Sequence, residues 1–297
     1  TAATAATAAT AATAATPSIA SSASAAASQQ DCPRWPTLEE RKEAALKTSE
    51  EKQSRMQPYQ NSDGTVVYLD SLAEAMRQEQ LRVMTQSWDW AQSMEQRRTL
   101  PVTHQREEIL RVVRRSQVII LSGHTGCGKT TQVPQMILED WIARGEGPAC
   151  DILVTQPRRI AAISVAARVA EERCERLGDH VGHKVRFETV DVARGSGRII
   201  FSTVGSVLRR MYRDPDLVGV THLLIDEVHE RDVNTDFLLI VVREMLERRP
   251  DMTLIIMSAT LDAQLFARYF DKGCVGSETI ASDGGGGGGG GGGRKNG

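Results

Sequence analysis

The chain has 297 residues and a formal net charge of −2 at pH 7, so its bulk charge does not announce a nucleic-acid binder. Its five cysteines (Cys32, Cys127, Cys150, Cys174 and Cys274) are odd in number and form no C-x-x-C pair. That argues against a disulfide framework or a zinc site and for a reducing compartment, cytoplasmic or nuclear. No run reaches the ~18 apolar residues of a membrane span, and no membrane partner is expected.

Residues 1–64 are expected to be low-complexity and disordered. Thr1–Ala27 is almost entirely Ala, Thr and Ser, with Ile19 its only large apolar side chain, so it has nothing with which to build a core. This acid-free start resembles a transit peptide, but it has no Arg before Arg34. A first residue other than Met reads as a fragment or a trimmed gene model. Pro33, Pro36, Pro58 and Gly64 punctuate the polar stretch that follows, with a short charged helix expected near Leu38–Lys52. Residues 65–98 read as an amphipathic helical lead-in, because Leu72, Met76, Leu81, Met84 and Trp88 recur at helical spacing. Trp88 and Trp90 are expected to pack on the domain rather than stack on bases. At the far end, 276–297 holds unbroken glycine from Gly284 to Gly293 and reads as flexible coil.

From Thr99 to residue 275 the texture changes to that of a folded domain. Apolar runs at Val118–Leu121, Ile152–Val154, Ile199–Phe201, Leu223–Ile225 and Leu254–Met257 are short, rich in Val and Ile, and lack polar alternation. Such runs predict strands buried on both faces. The segments between them are long enough for crossover helices, most clearly Thr131–Ala143 and Ile160–Arg176. The expected fold is therefore α/β, a parallel sheet covered by helices on both faces, with ligands beyond the carboxyl ends of the strands. Thr99–Val275 balances 24 Lys plus Arg against 24 Asp plus Glu, and only three of the cations are Lys. An Arg-heavy surface suits phosphate contacts, although a coding bias would give the same composition.

Two motifs carry the chemistry. Gly123-His124-Thr125-Gly126-Cys127-Gly128-Lys129-Thr130 matches G-x-x-x-x-G-K-[ST], directly after one predicted strand and opening a helix. Its glycines let backbone N–H groups approach phosphate oxygens, and the helix N-terminus favours negative charge. Lys129 is expected on the β- and γ-phosphates of ATP, Thr130 on Mg²⁺, and Thr131 beside them. Asp226-Glu227-Val228-His229 follows the strand Leu223–Ile225. An acidic pair at a strand end downstream of a phosphate loop predicts Asp226 as the Mg²⁺ ligand, and Glu227 as the base that orients and deprotonates water. His229 gains weight from its position three residues after Asp226.

These residues resemble the DExH/DEAH-box helicases. Several further segments carry the likeness: Leu100-Pro101-Val102, Thr155 to Ala162 (motif Ia), Val181 to Glu188 (the hook turn), Thr203 to Arg209 (motif Ib), Glu230 to Leu239, and Ser258-Ala259-Thr260 (motif III). Thr203-Val204-Gly205 and Asp232 to Leu239 are most similar to the RNA helicase A/Maleless group. The resemblance implies a RecA-like P-loop NTPase fold for 99–275, ATP and Mg²⁺ as cofactors, and single-stranded RNA as partner through backbone contacts. It implies that Arg168 stacks on adenine, unless it is a solvated helix-face arginine. It sets Arg158, Arg159, Arg186, Phe187 and Thr203 near RNA; for Phe187, packing in the core is an equal alternative. It gives Ser258 and Thr260 the coupling of the ATP site to the RNA path. After Phe270 the likeness stops, and no Q-x-x-G-R-x-G-R segment follows to supply arginine fingers. Hydrolysis is thus expected only when a second RecA-like domain completes the site. Three rivals stay open: another P-loop enzyme, a remnant that binds nucleotide or RNA without turnover, and a DNA helicase.

Overall fold

Alternation along each strand decides the architecture. In the computed structural model, residues 59–60, 66–67, 69–86, 88–192, 197–259, 263–271 and 277–282 are described. The expected low-complexity start, the charged helix near 38–52, Thr260 and the glycine run lie outside them. A two-residue pair, β1 (Tyr59–Gln60) with β2 (Val66–Val67), is antiparallel, and β1 falls inside the stretch expected to be disordered. The lead-in is helical on either side of residue 87, in α1 (Leu69–Gln86) and α2 (Trp88–Arg98). The expected apolar stripe is only partly used: Met76 is buried, while Leu81 and Met84 are exposed. Met76 wedges where the backbone is bare, its Cε 2.8 Å from where a Cβ on Gly197 would sit.

The domain follows in order. It comprises α3 (Pro101–His104), α4 (Arg106–Val113), β3 (Val118–Gly123), α5 (Lys129–Ala143), β4 (Asp151–Gln156) and α6 (Arg159–Glu172). Then come β5 (Val181–Val185), β6 (Glu188–Val190), β7 (Arg198–Thr203), α7 (Val204–Met211), β8 (His222–Ile225), α8 (Val233–Arg248), β9 (Thr253–Ser258), α9 (Ala263–Asp271) and β10 (Ser277–Ser282). The sheet order is β10-β3-β9-β8-β4-β7-β5-β6, and every pairing is parallel except β5 with β6.

Odd and even residues of one strand face different cores. Ile119, Leu121, Ile152, Val154, Ile255 and Met257 pack under α4, α5 and α6. Val118, Ile120, Leu153, Leu254 and Ile256 pack under α7, α8 and α9. Two buried faces explain the unbroken apolar runs, each large side chain contributing roughly 1.5–3 kcal/mol. No helix among the described residues is long and apolar enough to cross a membrane.

Two boundaries differ from expectation, and a hairpin falls in the segment expected to be the hook turn. The sheet extends past residue 275, because Ser277–Ser282 pairs in register with Val118–Gly123. This edge strand has one large apolar residue, Ile280, buried against the core. The helix expected to run to Arg176 stops at Glu172, because Cys174 adopts φ 56°. There the N–H of Cys174 bonds Glu171 O at 3.0 Å and that of Glu175 bonds Ala170 O at 3.0 Å, a Schellman ending without the usual glycine. Finally, β5 and β6 form a hairpin with Arg186 and Phe187 at its turn, between the paired residues Val185 and Glu188.

Candidate active site

The carboxyl ends of β3, β9, β8, β4 and β7 lie side by side, and each carries one of the sequence motifs. After β3 the chain wraps into a loop whose sharp turns need Gly126 at φ 83° and Gly128 at φ 96°. Gly128 is doubly constrained, since a Cβ there would sit 3.0 Å from Leu100 Cδ1 and 3.1 Å from Val102 Cγ1. The Leu100-Pro101-Val102 segment therefore braces the loop from behind. His124, Thr125 and Gly126 form the exposed tip, while Gly123, Cys127 and Lys129 are buried. Lys129 Nζ donates to Gly123 O, and to His124 O at 3.0 Å, so the ammonium is held at the mouth of the loop. Helix α5 starts there and turns its first N–H groups toward the same space.

Asp226 sits two strands away, at the end of β8, and is 2% exposed. Its Oδ2 accepts from Thr130 Oγ1 at 2.5 Å and from Gln156 Nε2 at 2.7 Å, and its Oδ1 accepts from the Glu227 N–H at 2.9 Å. Burial pushes the Asp226 carboxyl above its ordinary value, and these three hydrogen bonds offset only part of that. A buried carboxylate beside a threonine hydroxyl is a hard-oxygen pair that fits Mg²⁺, which takes one or two protein oxygens with phosphate and water. Among the described residues no group of three or more His, Cys, Asp and Glu gathers to hold a metal with protein ligands alone.

Glu227 has φ 55°, a left-handed backbone that costs about 1–3 kcal/mol at a non-glycine residue. It swings the carboxylate out beside the loop, half-buried. Burial and then the charge of Asp226 raise its pKa. His229 Nδ1 lies 3.3 Å from Glu227 Oε2 and 3.3 Å from the Ala259 N–H. With Nδ1 unprotonated it accepts from Ala259, and with Nδ1 protonated it donates to Glu227. One ring thus joins the DExH segment to the Ser258-Ala259 turn, where Ser258 is buried. Thr260 lies outside the described residues.

Arg168 lies on α6, half-exposed, with Nε donating to Glu172 Oε1 at 2.9 Å. Glu172 also accepts from Gln132 and Gln135 of α5, which ties Arg168 to the helix carrying the phosphate loop. Thr131 Oγ1 accepts from Gln132 Nε2 at 2.8 Å.

The other expected contacts gather farther along the same edge, beyond β4. Arg158 pairs with Glu230 at 3.4 Å, and Arg159 with Glu188 at 3.2 Å, which brings the β5–β6 hairpin to the start of α6. Phe187 has φ 70° and is 84% exposed, which excludes the core-packing alternative. The Arg186 guanidinium lies over its ring, 4.6 Å from the centroid. Thr203 caps the end of β7, its Oγ1 2.8 Å from Ser206 Oγ. Sequence reading missed Gln156, which holds the Asp226 carboxylate, and Arg97, which holds Gln132 at 2.7 Å.

A parallel sheet with a phosphate loop after one strand and an acidic pair after another, two strands across, defines a RecA-like P-loop NTPase domain. Residues 95–267 match the DEAD/DEAH box helicase family, and the chain belongs to it. Similar proteins include a DExH-box ATP-dependent RNA helicase, DExH3, of Arabidopsis thaliana. It is 48% identical over 202 residues, covering 66% of this chain and 17% of the relative. The related DExH1 of the same plant is 51% identical over 174 residues, covering 59% and 17%. The ATP-dependent RNA helicase DHX30 of Gallus gallus is 48% identical over 182 residues, covering 61% and 15%. The chain thus spans less than a fifth of the length of these relatives.

Proposed function

We propose that the chain is the ATP-binding motor domain of an ATP-dependent RNA helicase. It binds Mg-ATP at the β3–β8 edge and single-stranded RNA at the β4–β5–β7 edge. The observation that carries this reading is the 2.5 Å bond from Thr130 to Asp226, which joins the phosphate loop to the DExH segment. With Glu227 adjoining Asp226 and His229 reaching Ala259, one cluster holds every group that water attack on a γ-phosphate needs from this domain.

In this reading Lys129 binds the β- and γ-phosphate oxygens, and Thr130 and Asp226 hold the metal. Bound Mg²⁺ neutralises charge on those oxygens. Glu227 orients a water and takes its proton as the water oxygen bonds to the γ-phosphorus. The bond to the bridging oxygen breaks, giving ADP and phosphate. Arg168 faces the base. The backbone of a single strand runs past Arg158, Arg159, Arg186 and Thr203, with Phe187 offering a ring to a base. Efficient turnover requires a second RecA-like domain to supply arginine fingers.

The test is ATP hydrolysis by this chain joined to the second RecA-like domain of a DExH-box relative, with and without single strands. The expected result is stimulation by RNA that Lys129→Ala abolishes. Equal rates with and without RNA would indicate a P-loop ATPase of another kind, and stimulation by DNA alone a DNA helicase.

A further inference from the structure

The last turn of the lead-in helix α2 holds a buried arginine, Arg97, that reaches into the nucleotide domain. Arg97 is 4% exposed, yet it sits next to the start of the domain and far in sequence from either motif. Its Nε donates to Gln132 Oε1 at 2.7 Å and its Nη2 to Glu139 Oε1 at 2.8 Å, so one planar fork spans two positions of α5. Gln132 is completely buried. With its carbonyl oxygen held by a cation, its amide cannot flip, and Nε2 must point the other way. There it donates to Thr131 Oγ1 at 2.8 Å and to Glu172 Oε2 at 2.8 Å. Glu172 uses its other oxygen to accept from Arg168 Nε at 2.9 Å. The result is a hydrogen-bonded path, Arg97 to Gln132 to Glu172 to Arg168, to which Gln135 adds a second donor on Glu172 at 2.9 Å and Glu171 a second partner for Arg168 at 3.4 Å. Helix α6 leaves the carboxyl end of β4 and runs back along the sheet. Arg168, four residues before Glu172, is therefore about 6 Å nearer the edge that carries the phosphate loop.

We propose that Arg97 is a positioning residue of the nucleotide site: it fixes the amide of Gln132 and, through Glu172, sets the Arg168 guanidinium against the adenine base. The inference rests on the reading of Arg168 given above. It makes the lead-in helix part of the motor, because the far end of a base-contacting arginine's hydrogen-bond chain lies on α2, ahead of the first strand of the sheet.

Removing the guanidinium should spare the fold. Glu139, which burial alone would raise, is held low by the charges of Arg97, Arg173 and Arg106 together. Arg106 at 2.9 Å and Arg173 at 3.9 Å stay in place when Arg97 is replaced. The experiment titrates Mg-ATP and Mg-tripolyphosphate separately into the 297-residue chain, into Arg97→Met, into Arg168→Ala and into the double variant. Tripolyphosphate presents the phosphates without the base. Arg97→Met should lose about tenfold in ATP affinity, as expected for a hydrogen bond to a charged group, and under about twofold for tripolyphosphate. Arg168→Ala should show the same split. The double variant should bind ATP no more weakly than Arg168→Ala alone, because both changes break one path. The proposal is overturned if Arg97→Met binds ATP as the unmodified chain does, loses both ligands equally, or adds its loss in full to that of Arg168→Ala. If Arg97→Met does not fold, Arg97→Lys keeps the charge beside Glu139 but lacks the rigid planar fork that orients the Gln132 amide, and it carries the same expectations. If the unmodified chain binds tripolyphosphate but gains nothing from the adenosine, the reading of Arg168 fails instead. If it binds neither, the nucleotide reading itself fails.

Discussion

In the proposed hydrolysis Glu227 is the base. Its backbone is left-handed, and burial together with the neighbouring charge of Asp226 raises its pKa above the ordinary 4.5. A base must be ionised to take a proton. Turnover in the two-domain protein should therefore be present above the raised pKa and fall as the pH drops through it, with the acid limb above pH 4.5. Glu227→Gln removes the base but leaves Asp226, Thr130 and Gln156 bonded as before. It should bind Mg-ATP with unchanged affinity and hydrolyse it about 10²–10⁴-fold more slowly, measured under single-turnover conditions. Unmodified turnover in the variant would assign the proton transfer to another group. The same region shows what isolated residues could not tell. For Phe187, RNA contact and core packing were equal alternatives in the sequence; the hairpin turn, with φ 70° and a largely exposed side chain, removes the second.

At the level of elements, β10 is the least expected part of the fold. It covers the edge of β3, the strand that delivers the phosphate loop, and Ile280 is its buried anchor at 4% exposure. Ile280→Ala should cost about 2–4 kcal/mol in urea unfolding, the range for buried Ile-to-Ala changes. An unchanged midpoint would mean that β10 does not contribute to the folded sheet in solution. The strands split by how they bury their faces. Strands β3, β4, β7, β8 and β9 were legible because both faces are buried, which leaves unbroken apolar runs. Strand β5 hides behind Gly182, His183 and Lys184, β6 is largely exposed, and β10 offers a single large apolar residue, so none leaves a periodic signal. The end of α6 was illegible for a related reason: a cysteine, rather than a glycine, takes the left-handed position. In the site, contiguous motifs were readable. The bonds from Gln156 to Asp226 and from Arg97 to Gln132 were not, because they join residues 70 and 35 positions apart.

For the whole molecule, the account makes binding and catalysis separable. The site's own groups, Lys129, Thr130, Asp226 and Glu227, come from one domain and converge without help from another. Arginine fingers, by contrast, contribute about 10³–10⁵ in rate and would come from a second domain. The 297-residue polypeptide by itself should therefore bind Mg-ATP while turning it over feebly and separating no strands. Binding is the more direct test, since it asks only whether the β3–β8 edge is a nucleotide site. The decisive measurement is calorimetric titration of Mg-ATP into the folded chain and into Lys129→Ala, with circular dichroism to show that both are folded. The unmodified chain should show saturable binding that requires Mg²⁺ and is lost in Lys129→Ala. No binding by the folded chain, or equal binding by the variant, would contradict it.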